Sequence, residues 1–224
     1  MPRQLSLDLP VRAAMGRDDF FISPSNALAL AEIDRWRDWP GGRMALVGPA
    51  GSGKSHLAQV WATETGARIL SADALAGTRP EPGHVVVEDA EAVAGQPEGE
   101  RALLHLHNLV LAEGGRLLIT GETPPARWPV ALPDLASRLT AMPLARLEPP
   151  DDALLSALLV KLFADRQVAV PPGLVAWLVP RMERSSAAAR RLVAALDARA
   201  LSTGRPIGQK LAAEVLDEDP GSTA

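Results

Sequence analysis

Residues 44–61 read MALVGPAGSGKSHLAQVW, and this stretch decides the fold of the chain. An apolar run leads into a glycine-rich turn, and Leu57, Val60 and Trp61 then follow at the spacing of one buried helix face. The turn matches G-x-x-x-x-G-K-[ST], the P-loop motif that cradles phosphates. The alternative is a glycine-rich turn that binds nothing. The flanking strand and helix favour the P-loop, and the sequence predicts a nucleotide site.

Each residue type in the P-loop has a physical role. The glycines permit backbone angles at which successive N–H groups point at an anion, and the new helix adds the positive end of its dipole. Lys54 supplies a cation for the β- and γ-phosphates, and Ser55 offers a hydroxyl to Mg²⁺. We therefore expect ADP or ATP with Mg²⁺, bound by Gly48, Gly51, Ser52, Gly53, Lys54, Ser55 and His56.

A second motif follows at residues 84–89, where three valines lead into Glu88 and Asp89. This is the Walker B pattern, in which a buried strand delivers carboxylates to Mg²⁺ and to the attacking water. Glu88 and Asp89 are therefore candidate catalytic residues and, with Ser55, candidate Mg²⁺ ligands. A further apolar strand ends at Thr120, which could orient the hydrolytic water; a plain turn is the alternative.

Composition and charge narrow the class of protein. The chain has 224 residues, no cysteine and a net charge of −4, and no apolar run approaches the length of a membrane span. These numbers predict no membrane partner, no disulfide framework and no thiolate metal site. Domains built to bind DNA are usually basic, so we expect no strong direct DNA binding. We expect a cytoplasmic protein.

The order of elements predicts an α/β fold with two parts. Strands and helices alternate up to Glu148, which favours a mainly parallel sheet with helices on both faces. Prolines and aspartates at 148–152 then mark a boundary, and all later stripes have helical spacing. The predicted divisions are a tail at 1–17, a nucleotide-binding core at 18–148, and a small helical lid with an acidic tail at 149–224.

The first residues alternate polar and apolar from Gln4 to Leu9 before Pro10 ends the run. Such a segment is either an edge strand of the main sheet or an extended peptide whose leucines fill pockets on another protein. The residue pattern alone leaves both interpretations open.

Taken together, these motifs resemble the AAA+ plan: P-loop, Walker B strand, polar-tipped strand, an arginine before a fifth strand, and a helical lid. Several segments resemble the bacterial replication initiator DnaA, namely residues 20–26, 48–57, 118–125, 137–139 and 190–196. No helix-turn-helix pattern follows the lid, and the segment from Gln4 to Leu9 resembles the peptide that bacterial proteins insert into the replicase sliding clamp. This combination resembles the Hda family.

The resemblance implies roles for further residues. Arg138 matches an arginine finger that acts in trans on a partner's nucleotide. Arg190 matches the second sensor of the lid, with Arg191 as the less favoured neighbour. Thr120 lies near the first sensor position, which Glu122 could occupy instead. A surface salt bridge is the alternative role for Arg138 and Arg190.

The resemblance also implies partners and a function. The chain would bind the sliding clamp through Gln4, Leu5, Leu7 and Leu9 and promote hydrolysis of the ATP held by DnaA, so that replication does not re-initiate. A homo-oligomer is a further expected assembly. Glu88 stands where Asp is usual, which disfavours efficient self-hydrolysis. The alternatives are a non-catalytic, ADP-bound adaptor that links the clamp to a partner and, less favoured, a free-standing P-loop kinase or transport ATPase.

Overall fold

A computed structural model describes residues 20–77 and 81–218. Its centre is a five-stranded parallel sheet in the order β2-β3-β4-β1-β5. The strands are β1 (Arg43–Val47), β2 (Arg68–Ser71), β3 (Val85–Glu88), β4 (Leu117–Gly121) and β5 (Leu144–Arg146). The predicted α/β class and the parallel sheet are confirmed, and β5 is shorter than the segment 142–147 that the sequence suggested.

Four α-helices alternate with the strands, and a fifth follows the last strand as the first helix of the lid. In chain order they are α1 (Ala27–Asp34), α2 (Lys54–Thr65), α3 (Pro97–Ala112), α4 (Pro133–Thr140) and α5 (Asp152–Asp165). Because side chains alternate across a strand, the sheet has two apolar faces. Val85 and Val87 join the face that packs on α3 and α4, and Val86 joins the face that packs on α1 and α2.

The lid contains three more helices, α6 (Leu174–Leu178), α7 (Ser186–Thr203) and α8 (Gln209–Glu218). With α5 they enclose a hydrophobic cluster of their own, which includes Leu159, Leu192 and Leu211. The all-helical lid that the sequence predicted is therefore present. Asp217 and Glu218 form the last turn of α8.

A short segment before α1 contacts both the sheet region and the lid. Asn26 precedes α1, but its side-chain oxygen accepts the N–H of Ser23 at 2.9 Å instead of capping the helix. Ser25 in turn donates its N–H to the Asp151 carboxylate at 3.2 Å, and Asp151 caps α5. Residues 23–26 therefore tie the sheet region to the first lid helix.

Within residues 20–77 and 81–218, none of the helices combines the length and the apolar character that crossing a membrane requires.

Candidate functional site

The predicted P-loop connects the end of β1 to the first turn of α2. Gly51 and Gly53 have φ angles of 72° and 102°, in the left-handed region that favours glycine. Lys54 is the first residue of α2 and is 8% exposed. Its Nζ donates to the carbonyl oxygens of Gly48 at 2.8 Å and Pro49 at 3.1 Å, so the ammonium lies directly over the loop.

A cavity of about 630 Å³ opens beside this loop. Its walls come from the P-loop, from two acidic residues at the carboxyl edge of the sheet, from the segment before α1, and from lid helices α5 and α7. The lining residues are Phe20, Phe21, Ile22, Asn26, Ala50, Gly51, Ser52, Gly53, Lys54, Ser55, His56, Asp89, Glu122, Leu154, Ala157, Leu158, Lys161, Ser186, Ala187 and Arg190.

The cavity lining combines apolar and cationic side chains. Phe20 packs edge-on against the His56 ring with a centroid distance of 5.2 Å, and Leu154 and Leu158 face the same cavity from α5. Lys54 and Arg190 contribute positive charge at the loop and the lid. A flat apolar wall beside convergent cations suits a ligand with an aromatic base and phosphates.

The sequence did not single out the apolar wall as part of the site. Phe20 and Ile22 precede the first helix, and Leu154 and Leu158 lie about a hundred residues beyond the P-loop. Leu154 and Leu158 belong to a stripe that the sequence identified only as helix core. Lys161, which also lines the cavity, was not predicted. The spacing of Leu154, Leu158 and Lys161 on one face of α5 was the available signal.

The two predicted acids face different surroundings. Asp89 lines the cavity, whereas Glu88 lies outside the set of described residues that line it. Alternation along β3 puts Glu88 on the same side of the sheet as Val86. Among the candidate Mg²⁺ ligands, Ser55 and Asp89 therefore share the cavity. A hydroxyl and a carboxylate are oxygen donors of the kind Mg²⁺ prefers, so this pair fits the ion.

Asp89 is held in an uncommon backbone conformation. Its φ of 51° lies in the left-handed region, which aspartate tolerates better than most residues. The Asp89 N–H donates to Thr120 Oγ1 at 2.9 Å, and Thr120 is 1% exposed. Thr120 therefore fixes the backbone of the acid, while Glu122, two residues on, is the polar residue of this strand end that lines the cavity.

The lid contacts the P-loop directly. Ser186, the first residue of α7, donates its N–H to the carbonyl oxygen of Gly51 at 2.9 Å. A Cβ added at Gly51 would lie 2.3 Å from the Cβ of Ser185. Ser185 Oγ accepts the N–H of Ala188 at 3.0 Å and so caps α7. The amino end of α7 is therefore seated on the phosphate-binding loop.

Of the two neighbouring arginines on α7, one faces the cavity. Arg190 lines it, and its guanidinium forms no hydrogen bond or ion pair with any other described residue. Arg191 makes a salt bridge to Glu183 at 3.2 Å, and both side chains are about half exposed. A surface salt bridge was the alternative role predicted for Arg138 and Arg190, whereas of the neighbouring pair Arg190 and Arg191 it is Arg191 that makes one.

This difference gives a matched pair of variants. We expect Arg190→Ala to weaken ADP and ATP binding roughly ten-fold, about 1.4 kcal/mol, because a charge-assisted phosphate contact is lost. Arg191→Ala should leave the Kd within two-fold, since exposed ion pairs contribute little. Calorimetric titration of both variants with ADP measures the two values. Equal losses would mean that Arg190 does not contact the ligand.

Arg138 lies away from this cavity. It is on α4, shortly before β5 begins at Leu144 beside Ala45, and thus near the amino edge of the sheet, whereas the P-loop lies at the carboxyl edge. Burial lowers the pKa of His107, and the charges of Arg43 and Arg138 lower it further. Arg138 is half-buried, and within residues 20–77 and 81–218 its guanidinium has no hydrogen-bond or ion-pair partner.

The remaining predicted site residues divide into two groups. Position 48 has no room for a side chain, since a Cβ at Gly48 would lie 2.6 Å from the carbonyl oxygen of Leu147. Ser52 is 3% exposed, and its Oγ has no hydrogen-bond partner among the described residues. The four predicted clamp-binding residues, Gln4, Leu5, Leu7 and Leu9, lie outside the described residues.

Comparisons with known proteins agree with the fold. No family model matches the sequence. The structure is similar to domain III of the replication initiation protein DnaA from Thermotoga maritima, with a TM-score of 0.80 and 17% identity over 96% of this chain and 100% of that one. It is also similar to AMPPCP-bound DnaA from Aquifex aeolicus, with a TM-score of 0.66 and 13% identity over 80% of this chain and 64% of that chain.

A third similar structure is the RuvB Holliday junction branch migration motor of Thermotoga maritima, with a TM-score of 0.60 and 13% identity over 84% of this chain and 67% of that one. The chain thus spans about two thirds of the longer proteins, whereas it matches the isolated domain over its full length. At such low identities the likeness concerns the fold. The chain has a DnaA-like fold, with a cavity of about 630 Å³ where the P-loop meets the lid.

Proposed function

We propose that this protein is a regulator of the Hda type, which binds the replicase sliding clamp and promotes hydrolysis of the ATP held by DnaA, so that replication does not re-initiate. The observation that carries the proposal is the placement of Arg138. Its guanidinium lies far from the chain's own P-loop and lacks a partner among residues 20–77 and 81–218. An arginine so placed can act on the nucleotide of a neighbouring molecule.

The DnaA-like fold supports DnaA as that neighbour. AAA+ domains of the same shape can pack so that one molecule's edge meets the next molecule's cavity, a head-to-tail contact between similar subunits. In such an assembly Arg138 would reach DnaA-bound ATP, and its planar charge would stabilise the γ-phosphoryl oxygens in the transition state. The same surfaces would permit a homo-oligomer of this chain.

The protein's own cavity would hold ADP or ATP. Gly51, Gly53 and Lys54 would bind the phosphates, Arg190 would reach them from the lid, and Ser55 with Asp89 would hold Mg²⁺. The ion would supply charge neutralisation at the phosphates. Of the two Walker B acids, Asp89 lines the cavity and Glu88 does not, so Asp89 would serve both the metal and a water. We therefore infer slow self-hydrolysis.

The placement of Glu88 also favours a second candidate function. A protein that holds ADP without turnover could act as an adaptor, which joins the clamp to a partner and contributes no catalytic group. Both candidates share the clamp and a cytoplasmic setting. Single-turnover hydrolysis of DnaA-bound ATP, measured with and without DNA-loaded clamp, separates them, because only the regulator accelerates the chemical step.

Clamp binding is expected to depend on residues 4–9. Deleting residues 1–10, or combining Gln4→Ala with Leu7→Ala, should weaken binding at least ten-fold, since each buried leucine contributes about 1.5–3 kcal/mol. Surface plasmon resonance on immobilised clamp measures the Kd, which we expect to be about micromolar for the intact chain. Ser6→Ala is a matched control. Unchanged binding after the deletion would place the clamp contact elsewhere.

Direct DNA binding should be weak. The net charge is −4, and phosphate contacts require clustered lysines and arginines. We therefore propose that any association with DNA passes through the clamp.

A further inference from the structure

A buried carboxylate joins the segment that follows Asp89 to the residues that lead into α4, the helix that carries Arg138. Glu100 lies in the first turn of α3 and is 2% exposed. Its Oε1 accepts the backbone N–H groups of Gly95 at 2.8 Å and Ala131 at 3.0 Å, and its Oε2 accepts that of Leu132 at 2.8 Å. Burial by itself would raise the pKa of Glu100, but the three donors outweigh it and hold the pKa below its usual range.

The three donors belong to two separate segments, one that follows Asp89 and one that leads into α4. Gly95 follows the short 3₁₀ helix Ala90–Val93, which begins directly after Asp89, the acid that lines the cavity. Ala131 and Leu132 end the connection from β4, and Leu132 is the residue before α4. One carboxylate therefore fixes the start of α4 relative to the loop that carries Asp89.

Helix α4 has few other polar anchors. No side chain caps its amino end, and Pro133 at its first position has no N–H to donate. Two buried leucines, Leu135 and Leu139, hold it against the sheet, but apolar contacts alone do not fix rotation or sliding as hydrogen bonds do. Glu100 is thus the polar contact that sets where α4 starts, and Arg138 lies in the last turns of that helix.

A second carboxylate holds the other end of the same connection. Glu91, in the 3₁₀ helix after Asp89, accepts the N–H of Thr123 at 3.2 Å. Trp128 Nε1 donates to the carbonyl oxygen of Thr123 at 3.0 Å. The connection between β4 and α4 is therefore fixed at both ends to the segment that follows Asp89, and Glu100 secures the end nearer to Arg138.

From this geometry we propose that Glu100 is a positioning residue for Arg138. Its carboxylate holds the start of α4 in place relative to the segment that follows Asp89. The role in catalysis rests on the proposed function of Arg138. The positioning itself is independent of that function, because it concerns only the placement of α4.

The first test measures placement directly. The chain has no cysteine, so Ser137→Cys on α4 and Glu64→Cys near the end of α2 give two unique sites for nitroxide labels. Pulsed electron spin resonance should give one narrow distance distribution. Adding Glu100→Gln should broaden or shift it, because the amide NH₂ faces at least one N–H donor. An unchanged distribution would overturn the proposal.

The second test measures the consequence for the partner. Glu100→Gln should slow the stimulated single-turnover hydrolysis of DnaA-bound ATP at least ten-fold while leaving the Kd for ADP at the chain's own cavity within two-fold. Glu100→Asp, which keeps the carboxylate, should recover part of the rate. The control is Leu211→Ala, which leaves a cavity in the lid core and so lowers stability without altering a contact of α4.

The outcomes separate positioning from general destabilisation. If Leu211→Ala, assayed where both variants are folded by circular dichroism, loses as much stimulation as Glu100→Gln, the positioning role is wrong. If Arg138→Ala abolishes stimulation and Glu100→Gln leaves it intact, the positioning role is again wrong. If Arg138→Ala retains full stimulation, the proposed function fails, and the spin-label distances still report whether Glu100 holds α4.

Discussion

Arg138→Ala is expected to abolish the stimulated hydrolysis of DnaA-bound ATP, with a loss of about 10³–10⁵ in rate, the effect of an arginine finger supplied in trans. The physical reason is charge: the guanidinium stabilises the negative charge that spreads over the γ-phosphoryl oxygens in the transition state. Since Arg138 lies outside the chain's own cavity, its removal should leave ADP binding and clamp binding near normal.

The measurement is single-turnover hydrolysis of ATP pre-bound to DnaA, with clamp loaded on DNA and the regulator in excess. Arg127→Ala is a matched control, because Arg127 is an exposed arginine on the same connection between β4 and α4. Arg138→Lys should rescue little, since an ammonium lacks the planar fork of the guanidinium. Full stimulation by Arg138→Ala would leave the adaptor as the better description.

The sequence predicted those parts of the site that depend on local backbone chemistry. Gly51, Gly53 and Lys54 form one continuous turn between a strand and a helix, so their spacing alone specifies their geometry. The apolar side of the cavity could not be predicted in this way. Phe20 and Leu158 are separated by most of the chain, and they meet only because the lid folds back over the loop, which no local pattern encodes.

The roles of the polar residues depended on details that periodicity does not supply. Strand alternation suggests that Glu88 and Asp89 face opposite sides, but the positive φ of Asp89 decides where its side chain goes. Thr120 was a candidate for orienting water, and the register of β3 against β4 instead brings its hydroxyl to the Asp89 N–H. For the lid, packing of Leu192 and Val193 sets the phase of α7 and so separates Arg190 from Arg191.

The second large effect is expected at Gly51, where the lid meets the P-loop. Gly51→Ala combines two costs: about 1–2 kcal/mol for a side chain in the left-handed region, and about 1–3 kcal/mol for overpacking against Ser185. The added Cβ would lie 2.3 Å from the Ser185 Cβ, too close to fit without moving the amino end of α7. We therefore expect a loss of about 2–5 kcal/mol in the free energy of unfolding.

Gly53→Ala separates these costs, because Gly53 also has a positive φ but a Cβ there would have nothing within 4 Å. It should carry the backbone cost alone. Adding Ser185→Gly to Gly51→Ala should restore most of the free energy of unfolding that the clash removes. Glycine lacks the clashing Cβ, and as a helix cap it costs only a few tenths of a kcal/mol relative to serine. Urea unfolding of the wild type, Gly51→Ala, Ser185→Gly and the double variant, without nucleotide, gives the coupling energy between the two positions, and Gly53→Ala is measured beside them. If Gly51→Ala proves no more destabilising than Gly53→Ala, and the double variant recovers nothing, the lid does not rest on the P-loop in solution.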